Sequence, residues 1–233
     1  MIATSPAQAT ATDRAEATWS ALETPSVIHL VEQDPEVQDM VTWLFESAGW
    51  TVREYASVEA FLDAPRPVGD ACLVVELAQP GLSGLDLLER LNAEGTQMPA
   101  VVLTELRDAG SAVAALKAGA CDFLAKPADQ EKLFSTVTGA LDRHREARAR
   151  EEACSQAKAR LAQLTARELE VLEMILDGKP NKIIAADLDI NIRTVENHRA
   201  QVMRKTGVAS LPALVKLYLA SLGSDGLDPG ALV

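Results

Sequence analysis

Polar and basic side chains share one face of a predicted helix in the rear part of the chain. Residues 193–206 contain four Lys or Arg residues and one acid, Glu196. Five polar residues fall at i, i+3, i+4, i+7 and i+11, a spacing that puts them on the same side of an α-helix: Thr194, Asn197, His198, Gln201 and Lys205. Such a face can neutralise phosphates and present hydrogen-bonding groups to base edges in DNA. A solvated surface helix is the alternative interpretation.

Short helices are predicted on both sides of this one. Thr165 and Glu168 form a capping-box pattern, and Asn191 stands at the N-cap position of the basic helix. Two short helices separated by a tight turn are typical of a helix-turn-helix. The predicted helices span 165–178, 180–188, 192–206 and 211–222.

The segment LTARELEVLEMILDGKPNKIIAADLDINIRTVENHRAQVMRKTGVAS closely resembles the LuxR-type DNA-binding domain of the NarL/FixJ transcription factors. The resemblance implies an all-α, four-helix domain whose third helix enters the major groove. It also implies that the fourth helix, with Leu214 and Tyr218, makes a dimer contact. By position, the implied DNA-binding residues are Thr194, Asn197, His198, Arg199 and Lys205 on the third helix and Lys182, a phosphate contact, on the second.

The front part of the chain alternates short apolar runs with amphipathic stretches. Five strand–helix repeats of this kind predict a parallel sheet covered by helices. Asp34 and Ser57 stand where helix N-caps would. The predicted strands are 27–31, 51–53, 71–75, 100–103 and 121–124.

This front part resembles the receiver domain of two-component response regulators, most closely the FixJ branch. The resemblance rests on VIHLVEQD, LVVELAQPGLSGLDLLERL, VVLT and ALKAGACDFLAKP. It implies a flavodoxin-like α/β fold with five parallel strands in the order 2-1-3-4-5. Receivers need an Asp phosphoacceptor and an acidic pair that together hold Mg²⁺, and a Thr or Ser and a Lys that meet the phosphate oxygens. By position, Thr104, Lys126 and the aromatic switch residue Phe123 are present.

The phosphoacceptor site departs from the family at several positions. Glu76 occupies the phosphoacceptor position, and Glu32 and Gln33 replace the acidic pair. Gln33 removes one negative charge, and the longer Glu76 moves its carboxylate out of the geometry that octahedral Mg²⁺ demands. Glu105 follows Thr104, where the family normally has a small residue. Ordinary phosphorylation is therefore not expected.

Two hypotheses for this degenerate phosphoacceptor site stay open on the sequence alone. The longer Glu76 carboxylate can reach toward Lys126 and Thr104 as a phosphoryl group would, which would hold the receiver in or near its active conformation. Alternatively, the carboxylates are retained only because they pair with Lys126, and the receiver is a scaffold for dimerisation. The substitution itself does not decide which conformation is populated.

The predicted organisation includes a charged, Ala-rich linker of high helix propensity. A solvated connecting helix is favoured over a dimeric coiled coil, because leucines at the a and d positions are missing. The predicted parts are a disordered tail at 1–24, an atypical receiver at 25–141, the linker at 142–160, the LuxR-type domain at 161–223 and a tail at 224–233.

Charge is divided unevenly along the chain. The formal net charge is -12, and residues 1–141 hold 8 Lys or Arg against 21 acids. Residues 161–222 hold 8 basic residues against 7 acids. This division suggests two modules with different partners, and a weakly basic domain can still bind DNA through one basic helix.

The three cysteines, Cys72, Cys121 and Cys154, lie far apart without a CxxC pair. Neither a disulfide framework nor a zinc site is expected. No run of 18 apolar residues occurs, and the first residues have neither a basic leader nor an apolar stretch. These features argue against membrane spans and secretion, so a cytoplasmic protein is expected.

The function expected from the sequence is that of a sequence-specific, DNA-binding transcriptional regulator, without enzymatic activity, cofactor or metal, that works independently of phosphorylation. Its expected partners are double-stranded DNA, a second copy of the chain, and a histidine kinase or another protein. One alternative is a conventional, phosphorylation-dependent response regulator paired with a histidine kinase. Another is a receiver controlled by a partner protein or small ligand through residues 106–116 and the helix after Asp129.

Overall fold

The part of the chain that a computed structural model describes comprises residues 26–65, 69–105 and 109–223. It forms two compact units, divided between Arg145 and Glu146. The boundaries predicted for the individual domains stay predictions, and the predicted tails lie outside the described residues. Within the described ranges, no helix is both long enough and apolar enough to cross a membrane.

The first unit contains a five-stranded parallel sheet. The strands are β1 (Val27–Val31), β2 (Thr51–Tyr55), β3 (Ala71–Val75), β4 (Ala100–Thr104) and β5 (Asp122–Ala125). Their order is β2-β1-β3-β4-β5, which confirms the predicted fold. β2 runs two residues further than the sequence predicts, because Leu30 and Val31 of β1 pair with Glu54 and Tyr55. Polar residues are tolerated there since β2 is an edge strand with one face toward solvent.

Five helices belong to this part of the chain or begin in it. Asp34 and Ser57 are N-caps, as predicted: their side chains accept hydrogen bonds from the backbone N–H groups of Glu36 and Ala60, at 2.9 and 3.2 Å. The last helix has 32 residues and continues without a break through the predicted linker. The helices are α1 (Pro35–Ser47), α2 (Val58–Asp63), α3 (Gly84–Ala93), α4 (Ala109–Lys117) and α5 (Gln130–Leu161).

Two apolar clusters cover the two faces of the sheet. Successive residues of a strand point to opposite faces, so Cys72 and Val74 join one cluster while Leu73 and Val75 join the other. β3 and β4 are buried along their whole length, as central strands of a sheet covered on both faces must be. The polar residues that follow these strands are therefore held on a rigid support.

The second unit includes four short helices after α5. Val195 and Val202 are fully buried in one apolar cluster with Leu172 and Ile184, so one side of α8 faces the core of this unit. Thr165 and Glu168 form the predicted capping box. The helices are α6 (Ala166–Leu176), α7 (Asn181–Asp187), α8 (Ile192–Thr206) and α9 (Leu211–Leu222).

Candidate functional site

The carboxyl ends of the parallel strands bring the receiver-type residues to one edge of the sheet. Glu32 follows β1, Glu76 follows β3, Thr104 ends β4 and Lys126 follows β5. Glu32, Glu76 and Thr104 are buried. A backbone hydrogen bond of 2.8 Å from the Lys126 N–H to the Thr104 carbonyl ties the last two strand ends together. Strand topology therefore assembles residues that are almost a hundred positions apart.

Lys126 bridges the two buried glutamates. Its Nζ lies 2.6 Å from Glu32 Oε2 and 2.8 Å from Glu76 Oε2. Burial acts to lower the pKa of Lys126, but the hydrogen bonds and charges of Glu32 and Glu76 outweigh it, and the pKa is raised above its usual value. The lysine is therefore a permanent cation between two carboxylates.

The second oxygen of each glutamate is held by the backbone. Glu32 Oε1 accepts hydrogen bonds from the N–H groups of Gln33 and Asp34, at 2.9 and 3.0 Å. Glu76 Oε1 accepts one from the Ala78 N–H at 2.9 Å. Because both ends of each carboxylate are occupied, the two side chains are fixed in place rather than poised to swing outward.

The other residues predicted for this site lie around the buried ion pairs. Gln33 and Glu105 are exposed, so neither takes part in the buried cluster. Phe123 is partly buried against the apolar cluster that contains Val102. An open cleft adjoins Lys126, and three acids contribute to its lining: Asp34, Glu36 and Glu105.

These residues do not fit the Mg²⁺ ion that a conventional receiver holds. Glu32 Oε2 and Glu76 Oε2 both contact the Lys126 ammonium, and a cation at the same oxygens would be repelled by it. Gln33 contributes no carboxylate. Among the described residues, no group of three or more His, Cys, Asp or Glu side chains is arranged to hold a metal ion.

Helix α8 begins at a well-formed cap. Asn191 Oδ1 accepts hydrogen bonds from the N–H and the hydroxyl of Thr194, at 2.8 and 3.0 Å. The predicted DNA-binding side chains of α8 are exposed or half-exposed: Thr194, Asn197, His198, Arg199 and Lys205. Lys182, on α7, is exposed. The face that the sequence predicts for DNA is therefore open in this unit.

Two residues of α6 contact the two ends of the segment from Leu188 to Lys205, which contains the turn after α7 and most of α8. Arg167 donates a 2.6 Å hydrogen bond through Nη2 to the carbonyl of Leu188, at the end of α7. Lys205 Nζ, near the end of α8, lies 2.6 Å from Glu168 Oε2. Hydrogen bonds from Lys205 and from Thr165 lower the pKa of Glu168 to about 2.

Sequence reasoning identifies Glu168 as a capping residue and Lys205 as a candidate DNA contact, and misses that they form an ion pair. The two residues are 37 positions apart. No local pattern predicts which long side chains meet across a helix pair. Predicting the pair would have required knowing how α6 and α8 pack against each other, which the sequence alone does not give.

Comparison with known proteins identifies two families in the chain. Residues 28–138 match the family described as "Response regulator receiver domain". Residues 162–218 match "Bacterial regulatory proteins, luxR family". The two matches fall in the two parts of the chain that resemble these families.

Similar proteins have the same arrangement along most of their length. The transcriptional regulatory protein FixJ of Azorhizobium caulinodans is 43% identical over 192 residues, covering 82% of this chain and 91% of that protein. FixJ of Bradyrhizobium diazoefficiens is 38% identical, over 85% of this chain and 97% of that protein. The response regulator protein TodT of Pseudomonas putida is 34% identical, over 82% and 85% of the two chains.

Two solved structures are similar over most of the chain. The structure of the response regulator StyR is 35% identical and covers 84% of this chain and 99% of its own, with a TM-score of 0.72. Full-length FixJ from B. japonicum is 35% identical, over 84% of this chain and 96% of its own, with a TM-score of 0.55. The receiver-type sheet, the LuxR-type helices and the relatives all lead to the same assignment. The chain belongs to the NarL/FixJ family of response regulators, which are DNA-binding transcriptional regulators.

Proposed function

We propose that this DNA-binding response regulator controls transcription without phosphorylation of its receiver. The observation that carries the proposal is the Lys126 ammonium, 2.8 Å from Glu76 and 2.6 Å from Glu32. In a conventional receiver, this lysine meets the oxygens of a phosphoryl group on Asp. Glu76 stands at the Asp position, and its side chain is long enough for the carboxylate to contact the lysine. The carboxylate therefore supplies the negative partner permanently.

Electrostatics support the proposal by opposing the arrival of a phosphoryl donor. Two carboxylates against one ammonium leave a net negative charge in the buried cluster. The cleft beside it has acids in its lining and no cation other than Lys126 among the described lining residues. A phosphoryl donor is itself an anion. In a conventional receiver Mg²⁺ shields the carboxylates during the attack, and because these residues do not fit that ion, the repulsion of the donor stays uncompensated.

A receiver held in or near its active conformation requires the contact between Glu76 and Lys126 that the structure contains. An inert scaffold has the same contact but gives it no part in dimerisation or DNA affinity. The two forms of the proposal therefore differ in the effect of shortening the Glu76 side chain, a change that keeps the charge and weakens the contact.

The DNA-binding surface in this proposal is the exposed face of α8. Its residues supply a cationic, hydrogen-bonding surface of the kind that reads base edges in a major groove. Three large apolar side chains of α9 are exposed and favour a homodimer through this helix: Leu211 is 42% exposed, Leu219 40% and Leu222 39%. The proposed contacts are Thr194, Asn197, His198 and Arg199 with bases or phosphates and Lys182 with a phosphate. Lys205, also on α8, is paired with Glu168.

A receiver that answers to a partner protein is the second candidate. Val113 and Leu116 of α4 are each 48% exposed, which favours a protein contact on that helix. Leu106, at the start of the segment expected to carry this contact, lies outside the described residues.

Incubation with acetyl phosphate and Mg²⁺ tests the proposal. The charge of Lys126 is already neutralised, and the cleft that leads to it is acidic. We therefore expect intact-mass spectrometry to find no phosphate on the protein, and operator affinity to stay unchanged. The matched control is the double variant Gln33→Asp/Glu76→Asp, which restores the family's residue types at two positions. Phosphate on Glu76 of the parent protein, or tighter operator binding after the treatment, would revive the phosphorylation-dependent alternative.

A further inference from the structure

Two adjacent residues in the first turn of α6 contact both ends of the segment that carries the predicted recognition helix. Arg167 reaches the Leu188 carbonyl, where α7 gives way to the turn, at 2.6 Å. Glu168 reaches Lys205, in the last turn of α8, at 2.6 Å. The two contacts thus lie before the start of α8 and at its end.

Glu168 Oε2 collects three donors. Besides Lys205 Nζ, it accepts the Thr165 N–H at 2.7 Å and the Thr165 hydroxyl at 3.0 Å. The residue is buried, with 5% of its surface exposed. Because the capping box fixes the carboxylate in one position, Lys205 binds to a preset point rather than to a mobile side chain.

Lys205 is committed to this contact. Its side chain is 23% exposed, and a separation of 2.6 Å is that of a charge-assisted hydrogen bond. A lysine that contacts a DNA phosphate needs its ammonium free to project from the protein surface. The geometry therefore separates Lys205 from Arg199 and Lys182, neither of which forms an ion pair within residues 26–65, 69–105 and 109–223.

Apolar packing supplies one restraint on the orientation of α8. Val195 and Val202 are fully buried in a narrow stripe against α6 and α7, and such close packing opposes rotation and sliding but has no preferred bond direction. Hydrogen-bonded charges at both ends resist both motions, because their energy depends on distance and angle.

We infer that Arg167 and Glu168 are positioning residues for α8 and that Lys205 serves as the other half of the Glu168 contact instead of touching a DNA phosphate. This inference rests on the proposed DNA-binding role of α8. The clamp, meaning Arg167, Glu168 and Lys205 together, holds the base-reading side chains in register with the groove.

The test uses the full chain and the variants Lys205→Met, Glu168→Gln and their combination. Methionine keeps most of the lysine stem without its charge, and glutamine preserves the capping box while removing the carboxylate charge. Affinity for operator DNA and for unrelated DNA is measured over a series of salt concentrations. Lys182→Met is the matched control for loss of a phosphate contact.

We expect Lys205→Met to weaken operator binding about tenfold, comparable to the loss of one base contact. Affinity for unrelated DNA should change much less, and the salt dependence should keep the parent slope. The double variant Lys205→Met/Glu168→Gln should bind the operator no more weakly than the weaker-binding single variant, since the two substitutions remove the same contact. Lys205→Arg should restore operator binding. Lys182→Met should weaken both DNAs alike and reduce the slope of log affinity against log salt by about 0.9.

Each result either supports the clamp or overturns it. If Lys205→Met loses affinity equally for both DNAs and has a smaller slope of log affinity against log salt, then Lys205 is a phosphate contact and the inference is wrong. Losses of the two single variants that multiply in the double variant also contradict it, as does parent-like operator affinity in folded Lys205→Met. Failure of the parent protein to bind any operator with a salt-dependent affinity would instead remove the proposed function itself.

Discussion

At the scale of single residues, the receiver depends on one shared cation. Lys126 lies between Glu32 and Glu76, and all three side chains are at most about one-tenth exposed. A buried ion pair contributes little relative to apolar packing, but removal of one partner leaves an uncompensated charge and is costly. The three residues therefore behave as a unit, and the effects of changing them should not add.

Changes at Glu76 and Lys126 test this coupling. We expect Lys126→Ala to lower the free energy of unfolding by about 3–5 kcal/mol, because two carboxylates lose their cation. Glu76→Ala should cost less, since Lys126 keeps Glu32. The double variant should be less destabilised than the sum of the single losses, as measured by urea unfolding of each protein. Strict additivity would show that the two groups do not interact in solution.

A buried histidine gives the first unit a predictable response to acid. His29, on β1, is almost fully buried, and its Nδ1 lies 3.0 Å from the Tyr55 hydroxyl. Burial, with a further contribution from the positive charge of Arg53, lowers the pKa of His29 from 6.5 to about 4. Between these two values the unfolded chain takes up a proton that the folded chain does not.

Stability should therefore fall as the pH drops below about 6.5 and toward 4. Between pH 7 and 5 we expect His29 to account for roughly 1–2 kcal/mol of the loss in the free energy of unfolding. The comparison protein is His29→Phe, which cannot titrate at this position. If both proteins lose the same stability over that range, His29 is not the titrating group.

At the scale of elements, features that depend on neighbours in sequence could be predicted, and features that depend on tertiary approach could not. The caps at Asp34, Asn191 and Thr165 are local, because each capping side chain accepts a hydrogen bond from a backbone N–H only two or three residues away. The strand order followed from the family resemblance. Pairing of the site's carboxylates with Lys126 was one of the two hypotheses from the sequence, but the sharing of one ammonium by Glu32 and Glu76 depends on how closely the ends of β1, β3 and β5 approach one another.

A second long-range contact shows the same limit at the start of the helical linker. Arg145, on α5, donates to Asp70 at 2.8 Å and to the Ser26 hydroxyl at 2.9 Å. Asp70 is 75 residues away along the chain. The sequence predicts a solvated helix at this point, and nothing in its charge pattern indicates that one arginine reaches back to the amino ends of β1 and β3.

The role of α8 is tested by changes on its exposed face. We expect His198→Ala and Arg199→Ala each to weaken operator binding by about 1–3 kcal/mol, the range for a lost base contact. Affinity should also fall steeply with salt, because bound counterions are released. Gel-shift or fluorescence titrations give both quantities. Parent-like affinity in the triple variant Thr194→Ala/His198→Ala/Arg199→Ala would exclude this helix from the interface.

Across the whole molecule, the uneven distribution of charge is consistent with different functions for the acidic front part and the weakly basic rear part of the chain. The front 141 residues carry 21 acids against 8 Lys or Arg. Three of these acids, Asp34, Glu36 and Glu105, line the cleft beside Lys126. Such a surface repels anions, including DNA. In the proposed function, DNA binding falls to α8, and Glu76 supplies the negative group beside Lys126 that a phosphoryl group would otherwise provide.

Operator affinity and solution mass of Glu76→Asp, measured beside the untreated parent protein at one salt concentration, test whether the Glu76–Lys126 contact replaces phosphorylation. Aspartate keeps the charge but shortens the side chain by one methylene, so its carboxylate can no longer reach Lys126 as Glu76 does. We predict that the parent binds its operator as a dimer without any phosphate donor, and that Glu76→Asp dimerises more weakly and loses about tenfold or more in operator affinity, the scale of one charge-assisted hydrogen bond. Glu76→Asp that dimerises and binds the operator like the parent would contradict the claim and leave the receiver as a structural or partner-binding module.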